Sequence, residues 1–139
     1  MRISANGIQL IKKFEGCRLN AYFDAAGVPT IGYGHTGVDV VPVLVWSQQR
    51  ADDMLVHDLV KFETKVIEYD PVYHWKQNEF DALVSFAYNI GSIKDLTANG
   101  TRNRTEIIMH WTLYRKAGGK ILNGLVNRRC EELRLFMQV

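Results

Sequence analysis

The strongest constraint on the fold is an abrupt change of hydrophobic period near the start of the chain. Apolar residues recur at helical spacing from residue 8 to residue 14, and Gly16 is a natural helix stop. Residues 18–23 and 28–35 are instead aromatic-rich or glycine-punctuated runs of extended character, separated by a short turn. The pattern predicts a helix that ends at Glu15 and is followed at once by a β-hairpin.

Three side chains in this stretch carry chemistry. Glu15 would occupy the last helical turn, where the negative end of the helix dipole favours the protonated carboxyl that a general acid needs. A hairpin packed against that helix end would bring the Asp24 carboxylate and the Thr30 hydroxyl to the same cavity. Taken alone, a Glu at a helix end and an Asp in a turn are commonplace. Two carboxylates are the usual equipment for glycoside hydrolysis, but by themselves they are a weak signal.

Length and composition bound the remaining possibilities. The 139 residues are 47% hydrophobic and 23% charged, which suits one compact unit with a real core. A net charge of +2 is mildly basic and suits anionic cell-wall polymers as well as many other partners. Helical spacing recurs in several downstream stretches, so the sequence predicts an α+β fold that is mostly helical.

Longer motifs surround the three chemical side chains and continue downstream. They read Phe-Glu-Gly-Cys-Arg-Leu at 14–19, Thr-Ile-Gly-Tyr-Gly-His-Thr at 30–36, Gln-Asn-Glu-Phe-Asp-Ala-Leu-Val-Ser-Phe-Ala-Tyr-Asn-Ile-Gly at 77–91, and Gly-Leu-Val-Asn-Arg-Arg at 124–129. Together they closely resemble the phage-type lysozymes (endolysins, glycoside hydrolase family 24). That family's catalytic pattern is Glu, Asp and Thr at the spacing of Glu15, Asp24 and Thr30. The resemblance covers nearly the whole chain.

The resemblance implies a lysozyme-like architecture in a single domain, residues 1–139. A small hairpin lobe at about residues 17–46 and a larger helical lobe at about 70–139, which includes the N-terminal helix, would have the cleft between them. A long helix starting after Ser47 would join the two lobes, since Trp46 and Ser47 read as a staple and an N-cap.

The implied activity is hydrolysis of the β-1,4 bond between N-acetylmuramic acid and N-acetylglucosamine in peptidoglycan. Glu15 would be the general acid, and Asp24 with Thr30 would orient the attacking water. A hydroxyl where a second strong nucleophile would otherwise stand suggests inversion at the anomeric carbon. No metal and no organic cofactor is expected, because the sequence has no ligand cluster and no phosphate loop.

The resemblance also implies supporting residues around the catalytic group. Residues in the matching positions contact the saccharide, and here these are Gly34, Thr36, Tyr88 and Asn89. His35 is expected to anchor the hairpin structurally and is not counted as catalytic. Arg128 is expected to pair with a carboxylate near the active site, whereas Arg129 is expected on an exposed basic face.

One segment departs from the family pattern, and it keeps alternative functions open. Residues 92–104 are shorter and more polar than the helical segment that family members carry there, and an exposed, solvated loop is expected rather than a basic lip formed by Lys94, Arg102 and Arg104. A cell-wall-binding module with weakened catalysis is therefore one alternative, and a lytic transglycosylase is another. Polyanion binding through the arginine-rich C-terminal segment is a third, but the charge balance and the absence of a nucleic-acid motif disfavour it.

The expected partners and location follow from the same resemblance. The partners are peptidoglycan glycan strands, with no nucleic acid and no membrane insertion, and the protein is expected to be a monomer. The N-terminal residues lack the apolar stretch of a signal peptide. We therefore expect synthesis in the host bacterial cytoplasm and action on the cell wall in the periplasm after holin-dependent release.

The two cysteines, Cys17 and Cys130, are too few for a disulfide scaffold and show no metal-ligand spacing. Two buried, reduced thiols are expected. Trp111 is expected in the core behind a capping box at residues 103–106. The last helix, capped by Asn123, is expected to turn four residues inward: Val126, Cys130, Leu133 and Met137.

Overall fold

The computed structural model describes all 139 residues, and its six helices and small antiparallel sheets confirm the α+β, mostly helical prediction. The chain forms two compact units. We call Lys12–Val60 the sheet unit, and Met1–Ile11 with Lys61–Val139 the helical unit.

The sheet unit is built on a three-stranded antiparallel sheet in the order β1-β2-β3. Its strands are β1 (Arg18–Phe23), β2 (Pro29–Gly32) and β3 (His35–Thr36). The central strand, β2, contains the fully buried Ile31, and Tyr33 follows it into the core. The predicted helix-to-hairpin change is therefore confirmed at the residues where the hydrophobic period changes.

Gly32 shows why glycine punctuates this hairpin. Its φ of +67° lies in the left-handed region, and a Cβ added there would come within 2.9 Å of the Trp46 ring. Any other side chain would be strained at that position and would displace the indole. A bent strand end packed tightly on an aromatic ring thus requires glycine.

Hydrogen bonds define the end of the first helix and the start of the second. α1 (Ala5–Glu15) stops at Gly16, whose N–H donates to the Lys12 carbonyl at 3.0 Å. α2 (Gln48–Ile67) begins after Ser47, whose hydroxyl accepts the Arg50 N–H at 3.1 Å. The helix end at Glu15 and the Ser47 N-cap are both confirmed.

The helical unit contains the remaining elements: α3 (Asp70–Tyr73), α4 (Gln77–Ile90), α5 (Arg104–Trp111), β4 (Lys116–Ala117), β5 (Lys120–Ile121) and α6 (Asn123–Phe136). α4 is buried along most of its length and packs on α6. Trp111, at the end of α5, is fully buried as predicted. The capping box of Asn103 and Glu106 is also present. No helix combines the length and the apolar character needed to cross a bilayer.

The expectation of an exposed loop at residues 92–104 is wrong. The segment folds into successive tight turns that bury Ile93, Leu96 and Thr97 completely. Arg102 does not project into solvent as part of a basic surface, since its Nη1 donates to the carbonyls of Asp95 (3.0 Å) and Leu96 (2.9 Å). These three buried side chains anchor a segment that is otherwise polar.

The same region holds a second correction, at Arg104. Its Nε donates to the Glu79 carboxylate at 2.7 Å, and its Nη2 donates to the Tyr73 carbonyl at 2.8 Å. Glu79 is itself buried, so the arginine closes the start of α4. This guanidinium stabilises the helical unit.

The predicted inward face of the last helix is wrong at two of its four residues, because Val126 and Leu133 are half-buried but Cys130 and Met137 are not. The buried residues of α6 are Arg128, Arg129, Glu132 and Phe136, while Cys130 is exposed and Met137 is 57% exposed. Asn123 is the first helical residue, and Leu122 precedes the helix. Charged residues can occupy the inner face because they neutralise one another there. The spacing of apolar residues cannot predict such a face. Cys17 is likewise exposed, so neither thiol is buried and both are free.

Candidate active site

Glu15 is the last residue of α1 and lies three residues before the first residue of β1. Its side chain is half-buried. The left-handed Gly16 (φ +67°) ends the helix directly behind it and turns the chain into the sheet. The acid thus belongs to the same compact unit as the hairpin that carries the other two predicted catalytic residues.

Asp24 follows β1 and organises the turn to β2. Its Oδ1 accepts the backbone N–H groups of Ala26 and Val28, both at 2.9 Å. The backbone closes the same turn, because the Asp24 N–H donates to the Val28 carbonyl at 3.0 Å. Oδ2 forms no hydrogen bond, and the side chain is half-buried. One carboxylate oxygen is therefore fixed while the other is available.

Thr30 lies on β2 and is only 3% exposed. Its hydroxyl donates to the Val28 carbonyl at 2.8 Å. Because that donation uses the hydroxyl proton, the lone pairs of Oγ1 are left to accept a hydrogen bond. Thr30 and Asp24 are tied to the same residue, Val28, which links the two side chains through one short segment of backbone.

Asp24 and Thr30 each retain an acceptor that these hydrogen bonds do not use. Oδ2 of Asp24 and Oγ1 of Thr30 both carry unused lone pairs, and a water has two protons to give. A water that donates both has its own lone pairs directed away from the two side chains, which is the orientation a nucleophile requires.

His35 is held on both sides of its ring. Nδ1 lies 2.6 Å from Asp58 and Nε2 lies 3.0 Å from Asp39, with the Trp46 ring 5.2 Å away. Burial by itself would lower the pKa of His35, but the hydrogen bonds with Asp58 and Asp39 outweigh it and raise the pKa. Both ring nitrogens are engaged, so neither is available to a substrate.

A second polar cluster in the sheet unit was not predicted from the sequence. Asp52 Oδ1 accepts from the Tyr33 hydroxyl at 3.1 Å and from Gln48 Nε2 at 2.9 Å, and it pairs with Lys12 Nζ at 3.1 Å. Hydrogen bonds from Gln48 and Lys12 lower the pKa of Asp52. The i, i+4 spacing of Gln48 and Asp52 on α2 was the available signal.

The four predicted saccharide contacts occupy accessible positions. Gly34 (φ +87°) is half-buried between β2 and β3, and Thr36 is exposed on β3 opposite Thr30. In the helical unit, Tyr88 packs edge-on against Phe62 with ring centroids 5.3 Å apart. Asn89, also near the end of α4, is exposed. Their roles in binding stay predictions.

Arg128 and Arg129 belong to a buried network around Glu132, which is fully buried. Glu132 Oε2 accepts from Ser85 Oγ (2.6 Å), Arg128 Nε (3.2 Å) and Arg129 Nη2 (3.1 Å). The expectation of an exposed Arg129 is wrong, because this side chain is 1% exposed and its guanidinium also lies 5.0 Å from the Phe86 ring centre.

The other oxygen of Glu132 is equally occupied. Oε1 accepts from the Trp111 indole at 3.1 Å and lies 2.8 Å from Arg129 Nε. A single glutamate in a C-terminal helix gave no sequence signal of this role. Its i, i+4 spacing to Arg128 and i, i+3 spacing to Arg129 would equally suit a solvated surface pair.

Curated relatives match along the whole chain. The endolysin of Bacillus phage B103 is 40% identical over 153 aligned residues, covering 99% of this chain and 54% of the relative. The endolysin of Salmonella phage P22 is 34% identical, covering 99% of each. A protein of bacteriophage PS119 named SAR-endolysin is 30% identical over 83% of this chain. The chain spans little more than half the length of the Bacillus and Lactococcus phage endolysins it matches.

Solved structures agree in fold. The muramidase domain of SpmX from Asticaccaulis excentricus superposes with a TM-score of 0.81 at 33% identity, covering 99% of both chains. The endolysin from Escherichia coli O157:H7 phage FAHEc1 gives 0.80 at 35% identity, covering 99% of this chain and 94% of that one.

The fold defines a protein of the lysozyme class. The phage lysozyme family model matches residues 12–132. The chain belongs to the phage lysozyme family, as its motifs predicted, and the lysozyme-like fold is confirmed.

Proposed function

We propose that this protein is a muramidase that hydrolyses the β-1,4 bond between N-acetylmuramic acid and N-acetylglucosamine in peptidoglycan. The observation that carries the proposal is the pairing of Asp24 and Thr30 through Val28. It leaves one free carboxylate oxygen and one acceptor hydroxyl in the unit that also contains Glu15. The names endolysin and muramidase domain among the relatives support the same reaction class.

In the proposed mechanism Glu15 gives its proton to the glycosidic oxygen as the bond to the anomeric carbon breaks. A water held by Asp24 and Thr30 attacks that carbon from the opposite face and passes a proton to the Asp24 carboxylate. The new bond forms opposite the one that breaks, so the product is inverted. Asp24 also stabilises the positive charge that develops on the sugar ring.

Four residues are proposed to bind saccharide: Gly34, Thr36, Tyr88 and Asn89. An exposed hydroxyl at Thr36 and an exposed amide at Asn89 suit sugar hydroxyls, which need both donors and acceptors. The Tyr88 ring offers a polarisable surface beside that amide for the C–H faces of a sugar.

The location and release of the protein are part of this proposal. We propose synthesis in the host cytoplasm, holin-dependent release, action on the periplasmic cell wall, and a monomeric state. Release is the part on which the relatives differ, because the PS119 protein carries the name SAR-endolysin. Co-expression with and without a holin, followed by measurement of the lysis time, tests that route.

The direct test is digestion of purified peptidoglycan by the wild type and by Glu15→Gln, with products identified by mass spectrometry. Reducing-end muramic acid is expected from the wild type only, because glutamine keeps the shape of glutamate but has no acidic proton to transfer. Glu68→Gln is the matched control, since Glu68 is exposed and its side chain makes no hydrogen bond or ion pair. It should digest like the wild type.

The alternatives give different products. Detection of anhydro-muramic acid would show that the protein is a lytic transglycosylase and not a hydrolase. If the wild type and Glu15→Gln both bind peptidoglycan and neither releases products, the protein is a cell-wall-binding module. Near-normal turnover by Glu15→Gln would overturn the assignment of the acid. Binding to anionic polymers that weakens steeply with salt, and with no products, would indicate the polyanion-binding alternative.

A further inference from the structure

An arginine and a tyrosine on β1 form a stacked pair next to the proposed catalytic threonine. The Arg18 guanidinium carbon lies 4.3 Å from the centre of the Tyr22 ring. Arg18 is exposed and Tyr22 is half-buried. A guanidinium stacked on a ring is fixed in orientation, while the N–H groups around its edge remain open to a ligand.

The register of the sheet connects this pair to the site. Tyr22 of β1 is the direct cross-strand partner of Thr30 on β2. Directly opposed residues of an antiparallel pair have their side chains on the same face of the sheet. Asp24 follows Tyr22 by two residues at the end of the same strand. The pairing of β1 with β2 is irregular between Arg18 and Tyr22, and the stacked pair adjoins the proposed Asp24–Thr30 water site through Tyr22.

Arg18 differs from three other cationic side chains of the sheet unit, Lys12, His35 and Arg50. Lys12 is paired with Asp52, and His35 lies between Asp39 and Asp58. Arg50 stacks on Trp46 and helps to lower the pKa of Asp39, although the His35 hydrogen bond is the largest cause of that shift. Arg18 forms no hydrogen bond and no ion pair with any carboxylate, so its positive charge is uncompensated within the protein.

We infer that the Arg18–Tyr22 pair binds a carboxylate of the stem peptide of peptidoglycan and thereby favours peptide-bearing glycan strands. This inference rests on the proposed muramidase function and adds a specificity element to it. Each muramic acid carries a short peptide with free carboxylates, and a planar guanidinium matches a carboxylate with two parallel hydrogen bonds. Neutral sugar hydroxyls would leave the charge of Arg18 uncompensated.

The test compares two substrates that differ only in the peptide. One is peptide-bearing glycan strands, and the other is the same strands after an amidase has removed the stem peptides and the lactyl carboxylates thereby exposed have been converted to neutral amides. The KM for each is measured from the release of reducing ends. We expect the wild type to have a KM about tenfold or more lower for the peptide-bearing strands, as hydrogen bonds to a charged group imply. Arg18→Gln should bring the ratio of the two KM values close to one.

Two further variants separate the stacked pair from charge in general. Arg50→Gln is the matched control, since Arg50 also lies over an aromatic ring in the sheet unit, 5.8 Å from the centre of Trp46. It should keep the wild-type ratio. Arg18→Lys keeps the charge but loses the planar fork, so only part of the preference should remain.

Each result bears on the inference. A wild-type ratio of one, or an Arg18→Gln ratio equal to that of the wild type, would overturn it while leaving the muramidase function standing. If Arg50→Gln lowers the ratio as much as Arg18→Gln, the preference belongs to net charge and the specific assignment is wrong. Failure of the wild type to release reducing ends from either substrate would overturn the proposed function itself.

Discussion

Two carboxylates, Glu132 in the helical unit and Asp24 in the sheet unit, use their oxygens in opposite ways. Glu132 is fully buried, and both of its oxygens are engaged by guanidinium, indole or hydroxyl groups. Asp24 is half-buried, with Oδ1 holding the turn and Oδ2 left open. The same functional group is fully coordinated in one unit and half coordinated in the other.

The difference follows from the environment of each group. A charged carboxylate removed from water is stable only when nearly all of its lone pairs are satisfied, so the burial of Glu132 requires its five contacts. Asp24 stays close to solvent, where an open oxygen costs little and remains available for a water or a proton. The full coordination of Glu132 therefore indicates a structural role, and the open oxygen of Asp24 fits the chemical role that we propose for it.

The largest expected effect is on activity, from Asp24→Asn. The amide oxygen can still accept the N–H groups of Ala26 and Val28, so the turn should persist. The open position loses its negative charge and its ability to take a proton. We expect turnover to fall by about 10² to 10⁴, the usual contribution of a positioned acid or base. Peptidoglycan turbidity assays measure this.

The melting temperature of the same variant sharpens the comparison. It should change little, because the hydrogen bonds of the turn are retained. A large drop in melting temperature would mean that Asp24, like Glu132, acts mainly in stability. Activity close to that of the wild type would remove the distinction between the two carboxylates.

The next largest effect is on stability, from Glu132→Ala. Removal of this carboxylate leaves the guanidinium groups of Arg128 and Arg129 buried without their shared partner. Breaking a buried pair in this way typically costs about 3 to 5 kcal/mol in free energy of unfolding. Chemical denaturation measures the loss.

A graded control accompanies this substitution. Ser85→Ala removes only one donor to Glu132, so it should cost about 1 kcal/mol. If Glu132→Ala costs no more than Ser85→Ala, the network is not the structural centre of the helical unit.

Glu79 provides an intermediate case, buried but paired with a partly exposed arginine. Its side chain is 6% exposed, whereas that of Arg104 is 41% exposed. Burial would raise the pKa of Glu79, but the hydrogen bonds from Arg104 and the Lys76 backbone outweigh it and lower the pKa. A carboxyl whose pKa is lowered by folding stabilises the protein above its unfolded pKa of about 4.3, and this is lost as the pH falls through the folded value.

Glu79→Gln tests this pH dependence. It should cost about 1 to 3 kcal/mol near neutral pH, because a hydrogen-bonded charged group is lost. The difference from the wild type should shrink as the pH falls below about 4.3 and on through the lower pKa of the folded state. Denaturation curves between pH 2 and pH 7 would measure it. A cost that is constant with pH would show that the charge of Glu79 contributes nothing.

Much of the fold, and the placement of Asp24 and Thr30 on one hairpin, could be predicted because the signals are local. The helix end at Glu15, the Ser47 cap and the capping box at Asn103 each depend on residues within a few positions. The spacing of Asp24 and Thr30 is also local, since both are tied to the backbone of Val28.

Some of the failures share one cause, which is that a partner lies far away in the sequence. Glu132 is bonded to Ser85, 47 positions away, and Arg104 to Glu79, 25 positions away. Periodicity treats a charged residue as exposed, so Arg129 was assigned to the surface although the fold supplies it with a buried partner. Sequence reasoning lacks this tertiary pairing, and it therefore missed the structural carboxylate while finding the proposed catalytic ones.

The smallest expected effect concerns His35. Its ring contacts one more buried carboxylate, Asp58, and one more exposed carboxylate, Asp39. The Asp58 side chain is 18% exposed and that of Asp39 is 53% exposed. Because folding raises the pKa of His35, its contribution to stability is complete below the unfolded value of about 6.5. That contribution is lost as the pH rises through the folded value.

Asp58→Asn and Asp39→Asn separate the two partners. Each should lower the pKa of His35, measured by NMR titration of the ring, and Asp58→Asn should lower it more because its bond is shorter (2.6 Å against 3.0 Å) and less exposed. The pair with Asp39 lies near solvent and should contribute less than about 1 kcal/mol. An equal shift from both variants would mean that exposure does not set the strength of these pairs. The different roles of Glu132 and Asp24 would then follow from the number of hydrogen bonds that each carboxylate accepts, and not from its exposure.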